Sequence, residues 1–432
     1  MEIYIVMPGD SIESIANRHG ISIARLILDN GLENPDDLVV GQSLIILHPS
    51  QTYIVKDGDS LSSIAAANQT TLLQLIRDNP FLNSRDYIYP SETLFLRFDV
   101  DHDIYTNGYA YSFINRNILK KTLPYLSFLS VFNYRSTESG SIISYGDDSD
   151  IIELANLYHT TPLLMISALS PLGELNPELV YEILLNDDKS DILVQNIMNI
   201  VISKGFKGVN VLISYINITN QNLYLRFLTK LSRILKENNY TFVATVNPNI
   251  EIESDIIHFE KLDYNSVNQL VDHIVFIHYV WGLNKHPPEP VSSIYSIRAF
   301  LDYVKQYMSN SNTSLGKPLI GYDWILPYIP GKSVANAMTL ASTLTLAHEN
   351  NVVIEFDDAS QTPYFRYSTL NAGVTTNHIV WFIDARSINS LDDLIIEYDL
   401  AGSGIWNINS FDQQLWSIIN ARFNIQRLIP EI

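Results

Sequence analysis

The sequence predicts an α/β fold: a (β/α)8 TIM barrel with a small α+β insertion near its C-terminal end, preceded by two βααβ modules. Three observations carry that prediction. Residues 4–30 recur without gaps as residues 53–79. From residue 107 to residue 408, eight apolar, strand-like runs alternate with amphipathic helical ones, the texture of parallel βα units. No GxGxxG follows the first of those runs, which disfavours the alternative, an open doubly wound sheet.

In the repeat, YIVMPGDSIESIANRHGISIARLILDN aligns on YIVKDGDSLSSIAAANQTTLLQLIRDN. YIV is a run of β-formers. Pro-Gly-Asp and Asp-Gly-Asp are turn chemistry. Asp10 and Asp59, each followed by Ser, stand where a helix N-cap is expected. Ile12, Ile15 and Ala16 return at helical spacing; Ile23, Leu26 and Ile27 begin a second helix, which Asn-Gly or Asn-Pro stops. SLIIL (43–47) and TLFLRF (93–98) close the two units, which places the modules at 1–49 and 50–99.

This pattern, YxVxxGDSxxxIA followed by LxxxN and a closing strand, resembles the LysM module in both copies. The resemblance implies binding to N-acetylglucosamine-containing polysaccharide, peptidoglycan or chitin oligomers. The implied groove lies between the strand–helix turn and the loop before the last strand. Here that means Gly9, Asp10, Ser11 and Ile12 with Asn30 and Gly31, and Gly58, Asp59, Ser60 and Leu61 with Asn79 and Pro80. The second copy has SETL in place of GQSL, so its final turn is expected to differ.

The barrel is expected over 100–432. Its candidate strands are NGYAYSF (107–113), LSFLSVFNY (126–134), TPLLMISA (161–168), GVNVLISY (208–215), TFVATVN (241–247), HIVFIHYV (273–280), PLIGYDW (318–324) and GSGIWNI (402–408). Helical patterns such as SDILVQNIMNIVISKG (190–205) and LYLRFLTKLSRILKEN (223–238) separate them. Residues 351–383 break the rhythm and read as an insertion of short antiparallel strands. Barrel chemistry sits at the C-terminal ends of strands. Those ends carry Tyr109, Tyr111, Asn133, Asn247, Tyr279, Trp281, Asp323, Trp324, Trp406 and Asn407, a set suited to stacking on sugar faces and bonding sugar hydroxyls.

NGYAY (107–111), SVFNYR (130–135), GFKGVNV (205–211), VDHIVFIHYVWG (271–282), GYDWILPYIPG (321–331) and GSGIWNI (402–408) together resemble glycoside hydrolase family 18. The similarity is to its LysM-bearing bacterial members, the spore cortex-lytic N-acetylglucosaminidases. That family's mechanism implies a DxxDxDxE motif on the fourth strand, whose Glu protonates the leaving oxygen while the substrate's acetamide attacks. Laid on this chain, the four positions are Lys207, Asn210, Leu212 and Ser214. Serine has no proton to give near neutrality, and leucine cannot orient an amide. The motif is therefore degenerate and no catalytic residue is assigned. The resemblance still implies a substrate-binding set of Tyr109, Tyr279, Trp281, Asp323, Trp324 and Trp406. Asp323, Glu174 or Asp357 could supply a carboxylate from another loop. Three readings stay open: a wall or spore-envelope glycan-binding protein with an inactive barrel, which is favoured; an atypical hydrolase; and a protein-interaction scaffold.

Composition narrows the partners. A formal net charge of −20 argues against nucleic acid and against an anionic membrane surface, and fits a neutral sugar. With no cysteine, disulfides and thiolate metal sites are excluded, and no metal or other cofactor is expected. The N-terminus lacks a basic n-region and long apolar stretch, so no signal peptide or membrane insertion is expected; location in the wall or spore envelope follows from the resemblance alone.

Overall fold

The computed structural model describes residues 1–85, 87–167, 177–213, 216–253, 256–278 and 283–431. Both modules are βααβ. In the first, Glu2–Ile5 pairs antiparallel with Ser43–Ile46 around helices Ile12–His19 and Ile23–Asn30. In the second, Gln51–Ile54 pairs with Thr93–Arg97 around Leu61–Ala67 and Leu72–Asp78. Their small cores match position for position: Val6, Ile15, Ala16, Leu26 and Leu44 against Val55, Ile64, Ala65, Leu75 and Leu94.

The helix caps lie one residue later than expected. Ser11 and Ser60 hold extended N-cap geometry and form capping boxes with Ser14 and Ser63. Asp10 and Asp59 instead close the preceding turn. Asp10 accepts from the Met7 amide (2.8 Å) and the Tyr4 hydroxyl (2.6 Å), and Asp59 from the Lys56 amide (2.8 Å) and the Tyr53 hydroxyl (2.9 Å). Gly9 and Gly58, both at φ +86°, turn the chain so that the carboxylate folds back over the turn and leaves the cap to serine.

Eight parallel strands close into a barrel: His102–Tyr111, Phe128–Ser136, Thr161–Ser167, Gly208–Ile213, Thr241–Val246, His273–Phe276, Thr313–Pro318 and Gly402–Trp406, with the eighth pairing back on the first. The seventh strand differs from the expected PLIGYDW. The barrel strand is Thr313–Pro318, and Gly321–Leu326 instead pairs antiparallel with Val374–Trp381. The reason is physical: TSLGKP looks too polar to be buried, yet Lys317 is fully buried because Asp392 of the helix Ala385–Glu397 neutralises it. The insertion is correspondingly longer than 351–383. It is a five-stranded sheet starting at Gly321 and ending at Trp381, with one helix, Leu340–Glu349, on its outer face.

Both modules grip one barrel helix, Gln413–Arg422, which follows the eighth strand. Gln414 donates to Asn30 Oδ1 (3.0 Å) and to the Ser43 carbonyl (2.9 Å), Ser417 donates to the Asp29 carbonyl (3.3 Å), and Asn420 donates to Asp78 Oδ1 (2.7 Å). Arg25 joins the modules to each other: it donates to Asn79 Oδ1 (3.1 Å) and the Asp78 carbonyl (3.0 Å), and its guanidinium lies 3.3 Å from the Phe95 ring centre. Glu431 near the chain end pairs with Arg77 of the second module and with Arg427.

Candidate glycan-binding sites

The barrel interior is layered. Phe128, Leu163, Val243 and Val275 form an apolar floor, with Tyr105 against it. One step up each strand is a neutral polar layer. Thr245 donates to Asn210 Oδ1 (3.0 Å), Asn210 donates to Ser130 Oγ (2.8 Å), and Ser130 donates to Asn107 Oδ1 (2.9 Å). Because the Thr245 proton is committed to Asn210, the Tyr109 hydroxyl donates to Thr245 Oγ1 (2.7 Å). Burial pushes the Tyr109 pKa up to about 12, so this layer carries no charge near neutrality. Asn107, Ser130 and Thr245 sit at inward positions of apolar strands; their polarity against that background was the signal that could have revealed the layer.

Above it stand the rings. Trp406, 4 % exposed, lies 5.0 Å from Tyr109 and meets Tyr111 (6.2 Å) and Phe132 (6.0 Å) nearly edge-on. Phe113 stacks on Tyr111 at 5.1 Å and 14°, and is 76 % exposed at the mouth. Phe113 is the last residue of the expected strand NGYAYSF (107–113) but is missing from the expected binding set; its alternation with Tyr109 and Tyr111 was the signal that could have found it.

The structure brings Tyr109 and Trp406 together. It does not bring Asp323 and Trp324 to them as a pair. Tyr322 and Trp324 pack into the barrel-side core, and the Trp324 indole N–H donates to the His286 carbonyl (3.0 Å). Alternation along the strand turns Asp323 to the opposite face of the inserted sheet. There it accepts from the Tyr367 hydroxyl (2.8 Å) and faces His378 Nδ1 (3.0 Å), beside the Phe365 and Val380 layer beneath the inserted helix. Tyr279 and Trp281 lie outside the described residues, as do Ser214 and Glu174. Of the degenerate motif, Asn210 is the centre of the polar layer, Leu212 is 4 % exposed in the core, and Lys207 is an exposed residue before the strand. Asp357 accepts from the Ser360 amide (2.8 Å) as a turn residue. Among the described residues no His, Asp or Glu cluster could hold a metal ion, and no helix is long and apolar enough to cross a membrane.

In the modules, the turns at Gly9–Ser11 and Gly58–Ser60 are open to solvent, with Ile12 buried and Leu61 half-buried beneath. The Tyr4 hydroxyl, backed by Met7 N–H and Arg18, holds the Asp10 carboxyl below the usual range; for Asp59 the Lys56 N–H dominates, then Tyr53. Asn30 and Asn79 are placed behind these turns. Asn30 donates to the Leu26 and Ile45 carbonyls (both 2.9 Å) and accepts from the Ile45 amide (2.7 Å); Asn79 repeats this with Leu75 (2.9 Å), Phe95 O (2.7 Å) and Phe95 N (2.8 Å). Each ties a helix to the closing strand. Gly31 abuts the last helix, since a Cβ there would meet Gln413 Cβ at 2.7 Å. Pro80 opens the turn Pro80–Ser84.

Comparison with known proteins agrees with this architecture. The LysM domain model matches residues 4–47 and 53–97, and the model of glycosyl hydrolases family 18 matches residues 172–411. A cortical fragment-lytic enzyme of Bacillus subtilis (strain 168) is 32% identical over 434 residues, covering 98% of this chain and 99% of its own. One from Bacillus anthracis is 31% identical, covering 99% of each. Among solved structures, the spore cortex-lytic enzyme SleL of Bacillus megaterium QM B1551 superposes with a TM-score of 0.79 at 27% identity, over 98% of both chains. SleL of Bacillus cereus gives 0.78 at 28%, over 99% of both. A chitinase from Chromobacterium violaceum, 20% identical with a TM-score of 0.64 over 74% of this chain and 98% of its own, shares the barrel fold.

Proposed function

Because the chain belongs to glycosyl hydrolase family 18 and carries two LysM domains, we propose that it binds N-acetylglucosamine-containing glycan of the bacterial cell wall or spore envelope with a barrel that no longer cleaves it. One observation carries the reading: the eight barrel strands contain a single acidic residue, Asp103. It lies at the N-terminal end of the first strand, where Asn424 donates to it (2.9 Å). Cleaving a glycosidic bond at neutral pH needs a proton donor at the opposite end of the barrel. Losing general acid catalysis alone costs roughly 10²–10⁴ in rate. With leucine at 212, the acetamide also loses its orienting carboxylate. What is left suits binding: the Tyr111–Phe113 stack, with Phe113 exposed at the mouth and Trp406 packed behind Tyr111, offers a ring face to the C–H faces of sugars.

The test is a paired assay on the full-length protein. N-acetylglucosamine oligomers and purified spore and vegetative peptidoglycan are incubated with it, reducing ends are counted, and the same polymer is sedimented. Retention without release of reducing ends is expected. Steady release of sugar fragments overturns the loss of cleavage, and no retention overturns the glycan reading.

A second reading, an atypical hydrolase acting on cortex or wall peptidoglycan, is favoured by the names of the near-full-length relatives, which are cortical fragment-lytic enzymes. It needs an acid other than Asp323, whose carboxylate is turned away from the barrel. Turnover that survives Asp323→Asn and Ser214→Ala supports this reading.

A further inference from the structure

The eight barrel strands hold two lysine or arginine side chains, and the fold treats them differently. Lys317 is fully buried and neutralised by Asp392. Arg135, near the C-terminal end of the second strand, forms no ion pair among the described residues, and its Nε is shut off from solvent with no hydrogen-bond partner. A buried polar atom left in that state calls for a partner. In a chain with 47 aspartates and glutamates against 27 lysines and arginines, an unclaimed guanidinium is out of pattern. We infer that Arg135 is a substrate-binding residue that takes a carboxylate of the wall glycan, the lactyl acid of N-acetylmuramic acid or the end of its peptide stem. The inference rests on the glycan reading above and names the acidic group that reading leaves open.

Register places Arg135 at the barrel mouth. Inward positions of the second strand run through Phe128, Ser130 and Phe132. An irregularity after Phe132 shifts the count by one, so Tyr134 turns outward to Asp148 and Arg135 turns inward. Its neighbour on the third strand is Ser167, and the same inward count on the fourth leads from Asn210 to Leu212. Arg135 therefore stands in the layer above the neutral polar one. The rings adjoin it. Phe132, one inward step below, meets Tyr111 edge-on at 5.1 Å. On the hairpin that extends the strand, Ile143 pairs with Arg135, and Tyr145 follows on the same face. Burial raises the Tyr145 pKa and the Arg135 charge opposes that rise, so the two lie within electrostatic reach. A Cβ at Gly146 would meet Ser112 Oγ at 3.3 Å, which seats this hairpin against the segment that carries Phe113. A sugar on the Tyr111–Phe113 stack thus has the guanidinium beside it. The guanidinium fork matches a carboxylate with two parallel hydrogen bonds, and partial burial strengthens the attraction. No barrel-strand acid competes at this end, since Asp103 lies at the other. The net charge of −20 does not forbid it: repulsion from distant carboxylates is screened beyond about 8 Å at physiological salt, so the local charge decides.

The test uses the full chain and peptidoglycan tetrasaccharides of alternating N-acetylglucosamine and N-acetylmuramic acid. One is stem-free with its lactyl acids exposed, one carries peptide stems, and each is also prepared with its carboxylates converted to methyl amides; chitohexaose is the neutral control. In calorimetric titration, wild type is expected to bind at least one acidic form about tenfold more tightly than its amidated counterpart. That acidic form is expected to slow amide exchange over 132–136 and 142–145. Arg135→Gln is expected to lose both the preference and the protection while binding chitohexaose as wild type does, and Arg135→Lys to keep part of the preference. Dependence on Arg135 with the stem-free form identifies the lactyl acid; dependence with the stem-bearing form alone identifies the stem. Wild type that binds acidic and amidated forms equally overturns the assignment whether or not the variants fold, as does a folded Arg135→Gln that keeps the preference. Wild type that binds neither chitohexaose nor any tetrasaccharide overturns the glycan reading itself.

Discussion

The module turns and the end of the fourth barrel strand are both places where family patterns put glycan contacts, and they differ in what else those residues do. In the modules the patterned residues also hold the fold together. Asp10 and Asp59 close their turns, and Asn30 and Asn79 tie helix to closing strand. Removing one loosens the module whether or not glycan is present. In the barrel, the carboxylates of the family motif serve chemistry and burden the fold, since a buried charge is disfavoured without a partner. Leu212 fits the core at 4 % exposure. On the proposed reading, leucine at this position gives up the reaction and costs the scaffold nothing, the familiar opposition of activity and stability. The binding modules keep their motif and the barrel does not.

This contrast can be broken at its strongest point first. Asn79→Ala strips partners from Leu75 O, Phe95 O, Phe95 N–H and Arg25 at a fully buried position. At about 1–3 kcal/mol for each buried group left unpaired, partly offset by relaxation, a loss of about 4 kcal/mol is expected in denaturant unfolding. A loss below about 1 kcal/mol shows the asparagine is not structural. Next, Leu212→Asp restores a carboxylate and should lower stability by about 3 kcal/mol, from lost apolar burial and a buried polar group, without bringing turnover. A variant as stable as wild type shows that the barrel had no reason to lose the acid.

A pH series sharpens the contrast within the modules. Burial holds the Asp78 pKa up at about 6 in the folded protein. Its contribution is therefore fully present below the unfolded carboxyl pKa and is lost as pH rises through about 6, which weakens the module–barrel contact by about 2 kcal/mol between pH 4 and pH 7. Asp10 and Asp59, whose folded pKa values are depressed, act oppositely: their contribution is present above the unfolded pKa and is lost as pH falls through the folded one. Thermal melts of wild type and Asp78→Asn from pH 3.5 to 7.5 should run closest at the lower limit and separate as the pH rises through about 6, wild type losing stability that the variant keeps; parallel curves refute the assignment. The smallest effect is Ser60→Ala, which removes one capping box and should cost about 1 kcal/mol by the same unfolding measurement, whereas a cost above that of Asn79→Ala inverts the order.

The repeat, the turn residues and the alternation of apolar strands were legible because each is a local pattern with a local cause. The features that escaped depend on partners distant in the chain. Lys317 disguised the seventh strand because Asp392, on a different helix, makes its burial possible. Asp323 and Trp324 look like one site in sequence but occupy opposite faces of a strand whose sheet could not be foreseen. Asp10 and Ser11 both read as caps in the sequence, and only the backbone geometry at Gly9 decides between them. The structural work of the Asn30 and Asn79 side chains, bonded to the closing strand and, for Asn30, to Gln414, also depends on residues far along the chain.

The shared grip on Gln413–Arg422 also has a mechanical meaning. That helix follows the eighth strand after a six-residue loop, and both modules are bonded along it. On the proposed glycan reading, tension on a polymer held at either outer turn is passed through this one helix to the barrel, so the three domains share the load.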